Sequence, residues 1–371
     1  MRTRAAILTG YGQDWEVTDV ELDEPREREV LLRVVAAGLC HSDEHFRTGD
    51  IPGRLPLVGG HEGAGVVEKV GPGVSRVEVG DHVVCSFVPV CGSCRFCSTG
   101  QQNLCDLGAH AQNGSLAEGG FRFHRGGEDL GGVCSLGVFS EYAVVSEYSC
   151  VPIGKDLSLE VAALMGCGVP TGWGSAVNSA EVAPGDTVVV YGIGGVGINA
   201  VQGARHAGAM HIVAVDPVEL KRETALALGA THAVASAEEA FALVFEQLAP
   251  GVGADEAIVT VGLVDHVVVR HAYDVVRKGG TLVVTGGSPV GENTIQLDGA
   301  SLGLFQKRIQ GTLFGASNPL RDIPRLLDLY RAGHLKLDEL ITRRYVLAQV
   351  NEGYRDMLAG KIIRGVIIFG D

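Results

Sequence analysis

Short apolar runs set between glycines and turn formers mark the first 150 residues, among them Val30–Val35, Gly65–Val70 and His82–Ser86. They predict the strands of a compact β-rich unit. From Pro184 to about residue 317 the pattern changes. Apolar runs at Thr187–Tyr191, Ile212–Val215, Ala257–Val261 and Thr281–Thr285 are now separated by stretches long enough for helices. That alternation predicts a parallel sheet built from right-handed βαβ crossovers. Beyond it, Asn318-Pro319 offers an N-cap and first-turn pair, and Ile323, Leu326, Leu327 and Tyr330 follow at helical spacing before Gly333. A closing helix is predicted there. No internal repeat or low-complexity tract appears.

Composition narrows the class. A chain of 371 residues, 46% hydrophobic and 20% charged, has the length for two or three domains with ordinary cores. Its formal charge is −14, from 44 acidic against 30 basic residues, and it has no Lys/Arg block. The electrostatic footprint of a nucleic-acid binder is therefore missing. Between Met1 and Trp15 the only apolar run is Ala5–Leu8, too short for a secretory core, and no membrane-length apolar stretch follows. The expectation is a soluble cytoplasmic protein without a membrane partner. Nine cysteines in that compartment read as metal ligands or buried thiols rather than disulfides, with Cys85, Cys134 and Cys150 as the buried ones.

Two motifs carry chemistry by local spacing. Cys91, Cys94, Cys97 and Cys105 form C-x2-C-x2-C-x7-C, which lets four thiolates converge tetrahedrally on one ion, a closed structural zinc site. A disulfide pair or an iron–sulfur cluster is the competing reading. The second motif follows the β-branched run Thr187–Tyr191: Gly192, Gly194 and Gly197, with Ile193, Gly195 and Val196 between them, open a helical stretch that runs to Ala207. In that context the first glycine permits the turn, the second lets backbone approach a pyrophosphate, and the third packs helix on strand. Asp216 lies nineteen residues after Gly197, where a carboxylate accepts both ribose hydroxyls of NAD and repels a 2′-phosphate. Lys221 and Arg222 close by leave room for the phosphate, and a helix cap is the plainer role for Asp216. A third set is dispersed. Cys40, His61 and Cys167 are the Cys2His ligands of an open catalytic zinc, but spacing alone does not join them, because single buried Cys and His residues are usually core.

Gly60-His61-Glu62-Gly63-x-Gly65, the four-cysteine lobe, the glycine turn with Asp216, and the closing Gly360-Lys361-Ile362-Ile363-Arg364-Gly365 together resemble the zinc-dependent medium-chain alcohol dehydrogenases, in the same order over essentially the whole chain. In detail the text resembles the nicotinoprotein branch, which holds NAD(H) tightly and passes electrons to an external acceptor such as a nitrosoaniline dye or mycofactocin. The resemblance implies an α/β protein: a GroES-like β-rich catalytic domain over 1–172 and 318–371, and a doubly wound Rossmann domain over 173–317. It implies two zinc ions per subunit, with Cys40, His61 and Cys167 on the catalytic ion, Glu62 near it, and Asp43 orienting the histidine. Ser42 and a surface His45 match the family's proton relay. His41, Thr171, Val196 and Arg364 match cofactor contacts, and Lys221 joins Asp216 there. Ile51, Phe87 and Leu136 fall in segments that line the substrate pocket, with core packing as the alternative. The implied activity is hydride transfer between a primary alcohol, aliphatic or aromatic, and NAD, giving the aldehyde, in a homo-oligomer joined near Leu302–Phe314. Two alternatives stand beside it: oxidation of a formaldehyde–thiol adduct, and dinucleotide binding without catalysis.

Overall fold

In the computed structural model, which describes residues 1–291 and 295–370, Met1–Cys167 joins Asn318–Gly333 and the chain from Leu337 onward in one unit. Gly168–Ser317 with His334–Lys336 forms the other.

The first unit is built on two β-structures. Strands Arg2–Leu8, Glu16–Leu22, Phe123–Arg125, Glu128–Gly132 and Leu57–Val58 close a small barrel. The second is a sheet whose central strand, Glu29–Gly38, pairs antiparallel with Gly63–Val70, Tyr142–Ser146 and Arg364–Ile368. Nearly every residue of Glu29–Gly38 is buried, which explains its continuous rather than alternating apolar text. Ile7, Leu8, Leu32, Leu130 and Phe139 are fully buried in this core, and removing each such side chain from water is worth about 1.5–3 kcal/mol.

One register contact positions the chemistry. Ala37 faces Gly63 across the Glu29–Gly38 and Gly63–Val70 pair, and Gly38 N–H donates to the Glu62 carbonyl at 2.8 Å. Residues just past the end of the first strand therefore meet residues just before the start of the second. Cys40 and His61 reach the same sheet end in this way. Cys167 arrives from the Leu159–Ala163 helix through the turn Leu164–Gly166, and the helix packs on both strands.

In the second unit the described residues form a six-stranded sheet ordered His232–Val234, His211–Val215, Thr187–Tyr191, Ala254–Val259, Val276–Val284 and Arg308–Gly311, all parallel. Numbered along the chain, this is the 3-2-1-4-5-6 order of a doubly wound dinucleotide-binding fold. Its middle strand, Thr187–Tyr191, is buried along its whole length. The predicted closing helix spans Pro319–Arg331, with Asn318 Oδ1 accepting Leu320 N–H at 3.1 Å. Among the described residues no helix is long and apolar enough to cross a membrane.

Candidate active site

The lobe spanning Cys91 to Cys105 brings its four sulfurs together with all their ligand atoms within 4.8 Å of one another. Cys91 and Cys97 sulfurs are 3.9 Å apart and those of Cys94 and Cys105 are 4.0 Å apart. Sulfurs bound tetrahedrally at the usual zinc–sulfur distance stand about 3.8 Å apart, so the set fits that ion. Backbone N–H groups point at the sulfurs: Ser93 and Cys94 donate to Cys91 Sγ at 3.4 and 3.3 Å, Cys97 to Cys94 Sγ at 3.4 Å, and Cys91 to Cys105 Sγ at 3.4 Å. Burial alone would raise the Cys91 thiol, but these donors outweigh it and draw it down to about 6. A thiolate is thus favoured at Cys91 before any metal binds, whereas burial raises the Cys97 thiol to about 12 and raises that of Cys105 as well.

The dispersed set also converges. Ligand atoms of Cys40, His61, Glu62 and Cys167, all buried, lie within 4.8 Å of one another. Asp43, on the first turn of the His41–Thr48 helix and fully buried, accepts Gly60 N–H at 3.0 Å. Its other oxygen stands 3.0 Å from His61 Nδ1, close but off the line of an ideal hydrogen bond. That leaves Nε2 buried without a hydrogen-bond partner among the thiols. A buried imidazole nitrogen facing two sulfurs is what a cation site requires. The charges agree. Contact with Cys167 draws the Cys40 thiol well below 9.0, while burial of His61 is outweighed by Asp43 and Cys40, so its pKa is raised well above 6.5. Without metal, the site compensates its own buried charge.

Gly60 holds His61 in place. Its φ is +89°, and an added Cβ would stand 2.5 Å from the Phe139 ring and 2.6 Å from its backbone nitrogen. A side chain has no room there, and the positive φ is one that glycine adopts without steric cost.

Glu62 pairs with Arg364 in a fully buried ion pair, although 302 residues separate them. Burial raises the Glu62 carboxyl to about 7 against the opposing pull of the guanidinium. Arg364, expected on the cofactor pyrophosphate, is 3% exposed and is engaged with Glu62. Ser42 Oγ lies 3.7 Å from Cys40 Sγ. His45, expected at the surface, is instead 5% exposed, with Nδ1 3.0 Å from Asp50. Packing of the short His41–Thr48 helix into the unit buries it. The His41 ring centroid is 6.2 Å from that of His45.

Among the pocket candidates, Phe87 stands perpendicular to the His61 ring, with centroids 5.7 Å apart and planes at 87°. Ile51 is partly buried against the core. Leu136 is a correction: at 1% exposure it is a core residue with no surface to offer a ligand. The chain reaches it through Cys134 and Ser135, both at positive φ (53° and 62°); Cys134, expected buried, is partly buried against the core, and burial raises its thiol to about 11. Asp50 was missed. The signal for it was Gly49, whose left-handed conformation ends the helix and folds the next residue back.

In the second unit, Gly192 has φ +87°, and a Cβ on Gly197 would run into the Gly192 carbonyl oxygen. A Cβ on Gly194 would meet nothing within 4 Å, so the space before it is open to a ligand rather than filled by protein. Val196 is the residue from which the Gly197–Ala207 helix springs, leaving that helix N-terminus facing the turn. Asp216, 4% exposed, accepts Ile193 N–H at 2.8 Å and Val218 N–H at 2.9 Å, and Lys221 Nζ stands 3.7 Å from it. It thus both braces the glycine turn and starts the next one. Thr171, 8% exposed, accepts the Ser175 hydroxyl on its carbonyl at 2.7 Å.

Comparison with known proteins agrees with this architecture. Residues 26–155 match the alcohol dehydrogenase GroES-like domain and residues 195–332 the zinc-binding dehydrogenase domain. The chain is 58% identical over 368 residues to an NDMA-dependent alcohol dehydrogenase of Amycolatopsis methanolica, covering 99% of each. It superposes on an alcohol dehydrogenase zinc-binding domain protein from Burkholderia ambifaria with a TM-score of 0.93 at 35% identity, and on benzyl alcohol dehydrogenase from Acinetobacter calcoaceticus with 0.91 at 31%, each over 100% of both chains.

Proposed function

The chain belongs to the zinc-containing medium-chain alcohol dehydrogenases, in their nicotinoprotein branch, and we propose that it oxidises primary alcohols bearing an apolar aliphatic or aromatic group. The observation that carries this reading is the convergence of Cys40, His61 and Cys167 beside the Ser42 hydroxyl and the Phe87 ring.

Cys40, His61 and Cys167 would hold the catalytic zinc, with Glu62 at hand, and Cys91, Cys94, Cys97 and Cys105 the structural one. Zinc bound by three protein ligands keeps a position for substrate and lowers the pKa of a hydroxyl placed there. Asp43 keeps the His61 proton on Nδ1, so that Nε2 remains a ligand. Ser42 Oγ, which both donates and accepts, takes the alcohol proton, and His45 receives it farther out. Phe87 gives the substrate an apolar wall perpendicular to the His61 ring, in keeping with the benzyl alcohol dehydrogenase likeness.

The open space before Gly194 and the adjacent helix N-terminus would seat the pyrophosphate of NAD, whose nicotinamide supplies the hydride acceptor. Asp216 would hold the adenosine ribose. His41, Thr171, Lys221 and Arg364 are assigned to the cofactor by family likeness. We assign the electron exit to an external redox carrier and the protein to the cytoplasm, where its nine free cysteines stay reduced. Leu304, Phe305 and Leu313 are exposed beside the edge strand Arg308–Gly311, which supports a homo-oligomer formed there.

The test is to dialyse the purified protein extensively, denature it, and assay the released nicotinamide. In parallel, benzyl and aliphatic alcohols are offered with a nitrosoaniline acceptor, with and without added NAD. Stoichiometric released cofactor and turnover without added NAD are expected. No released nicotinamide and full dependence on added NAD would refute the bound-cofactor part, and inactivity on all alcohols the rest.

A further inference from the structure

A proton delivered to His45 has little direct access to water, because the residue is 5% exposed. Its outward neighbour is Asp50. The His41–Thr48 helix ends on Gly49 at φ 88°, and the N–H groups of Gly49 and Ile51 both donate to the His45 carbonyl at 3.1 Å. This turn folds Asp50 back over the end of the helix. There Asp50 Oδ2 stands 3.0 Å from His45 Nδ1 and accepts the Thr48 hydroxyl at 2.7 Å. The Asp50 side chain is 30% exposed against 6% for that of His45, so it is the more open of the two to solvent.

The competing charges are accounted for. Glu44, on the same helix, is taken by Arg47 through two contacts of 2.8 and 2.7 Å, and the His41 ring stands 6.2 Å away, centroid to centroid.

We propose that Asp50 is a positioning residue for proton release: it accepts the Nδ1–H of His45, which keeps the Nε2 lone pair free to take the proton coming from the alcohol, and it compensates the positive charge that results. The imidazolium gives up its Nδ1 proton to solvent water beside Asp50, at the solvent-facing end, which leaves the Nε2–H tautomer; exchange with water restores Nδ1–H against Asp50 for the next turnover, and nothing else is consumed. The same contacts, His45 first and then Thr48, hold the Asp50 carboxyl below its ordinary 3.8, so it stays charged and acts as an anchor rather than a proton store. This inference rests on the alcohol dehydrogenase reading above.

The experiment uses the holoenzyme and follows reduction of bound cofactor by benzyl alcohol in Asp50→Asn and Asp50→Glu variants across pH. Near neutrality Asp50→Asn should lose about tenfold in rate, and the loss should shrink under alkaline conditions, where hydroxide removes the proton directly. Asp50→Glu should recover most of the rate. An unchanged Asp50→Asn rate overturns the inference, as does a loss equal at every pH, which marks a purely structural role. Failure of both variants to fold also counts Asp50 as structural and overturns it. Wild-type protein that never reduces its cofactor with any alcohol removes the underlying reading as well, so the two failures are told apart.

Discussion

Asp43→Asn is the substitution most revealing of how the metal centre is built. The native carboxylate is fully buried; it accepts Gly60 N–H at 3.0 Å, and its other oxygen stands 3.0 Å from His61 Nδ1. An amide of the same size has one acceptor and one donor end. If its oxygen keeps Gly60, its NH2 faces His61 Nδ1, and the imidazole must move its proton to Nε2, the nitrogen that has no other partner and faces the thiols. A protonated Nε2 cannot ligate a metal. If the amide turns round, Gly60 N–H is left unsatisfied in a buried site, which costs about 1–3 kcal/mol of folding stability. Loss of such an orienting group reduces metal affinity about 10- to 100-fold, or roughly 1.4–2.8 kcal/mol. The assay is competition with a chromophoric chelator. One zinc per chain should be lost about 10- to 100-fold more readily from Asp43→Asn than from wild type, with the four-cysteine ion unaffected. Equal retention of both ions, in a variant whose thermal midpoint is also unchanged, would show that Asp43 does not orient His61.

Other consequences follow from the same contacts. Cys105→Ala removes the sulfur that receives Cys91 N–H, so zinc content should fall by one per chain and the thermal midpoint should drop, while the Cys40, His61 and Cys167 set keeps its ion; elemental analysis with calorimetry checks this. Gly197→Ala drives a methyl into the Gly192 carbonyl, and the purified variant should carry no dinucleotide by absorbance while remaining folded by circular dichroism. Glu256, on the Ala254–Val259 strand, is 7% exposed, and burial first, then Asp186 and Asp255, raises its carboxyl from 4.5 to about 8. A raised acid favours folding only while protonated, so its penalty is absent below about 4.5, grows from there to about 8 and is fully present above. Glu256→Gln should therefore raise the melting temperature on the alkaline side and leave it nearly unchanged at acid pH, as a pH series of thermal melts would show.

Features written in contiguous residues were legible in the text of the chain. The four-cysteine lobe closes within fifteen residues, and the strand, glycine turn and helix around Gly192–Gly197 depend on φ freedom and close approach between near neighbours. The four inner strands of the parallel sheet likewise follow from alternating apolar runs, whereas its edge strands His232–Val234 and Arg308–Gly311 were not among them. The catalytic ligands were not legible by spacing, only by resemblance, because Cys40, His61 and Cys167 come from three segments that meet only through the Ala37–Gly63 register and the packing of the Leu159–Ala163 helix. Direction and burial were decided at the tertiary level too. Leu136 and His45 turned inward, Cys134 stayed partly buried against the core, and Arg364 found Glu62 from 302 residues away. A residue's type states what bonds it forms; which of its neighbours share its low-dielectric surroundings depends on how distant strands and helices pack, and that set the charges, exposures and partners of this site.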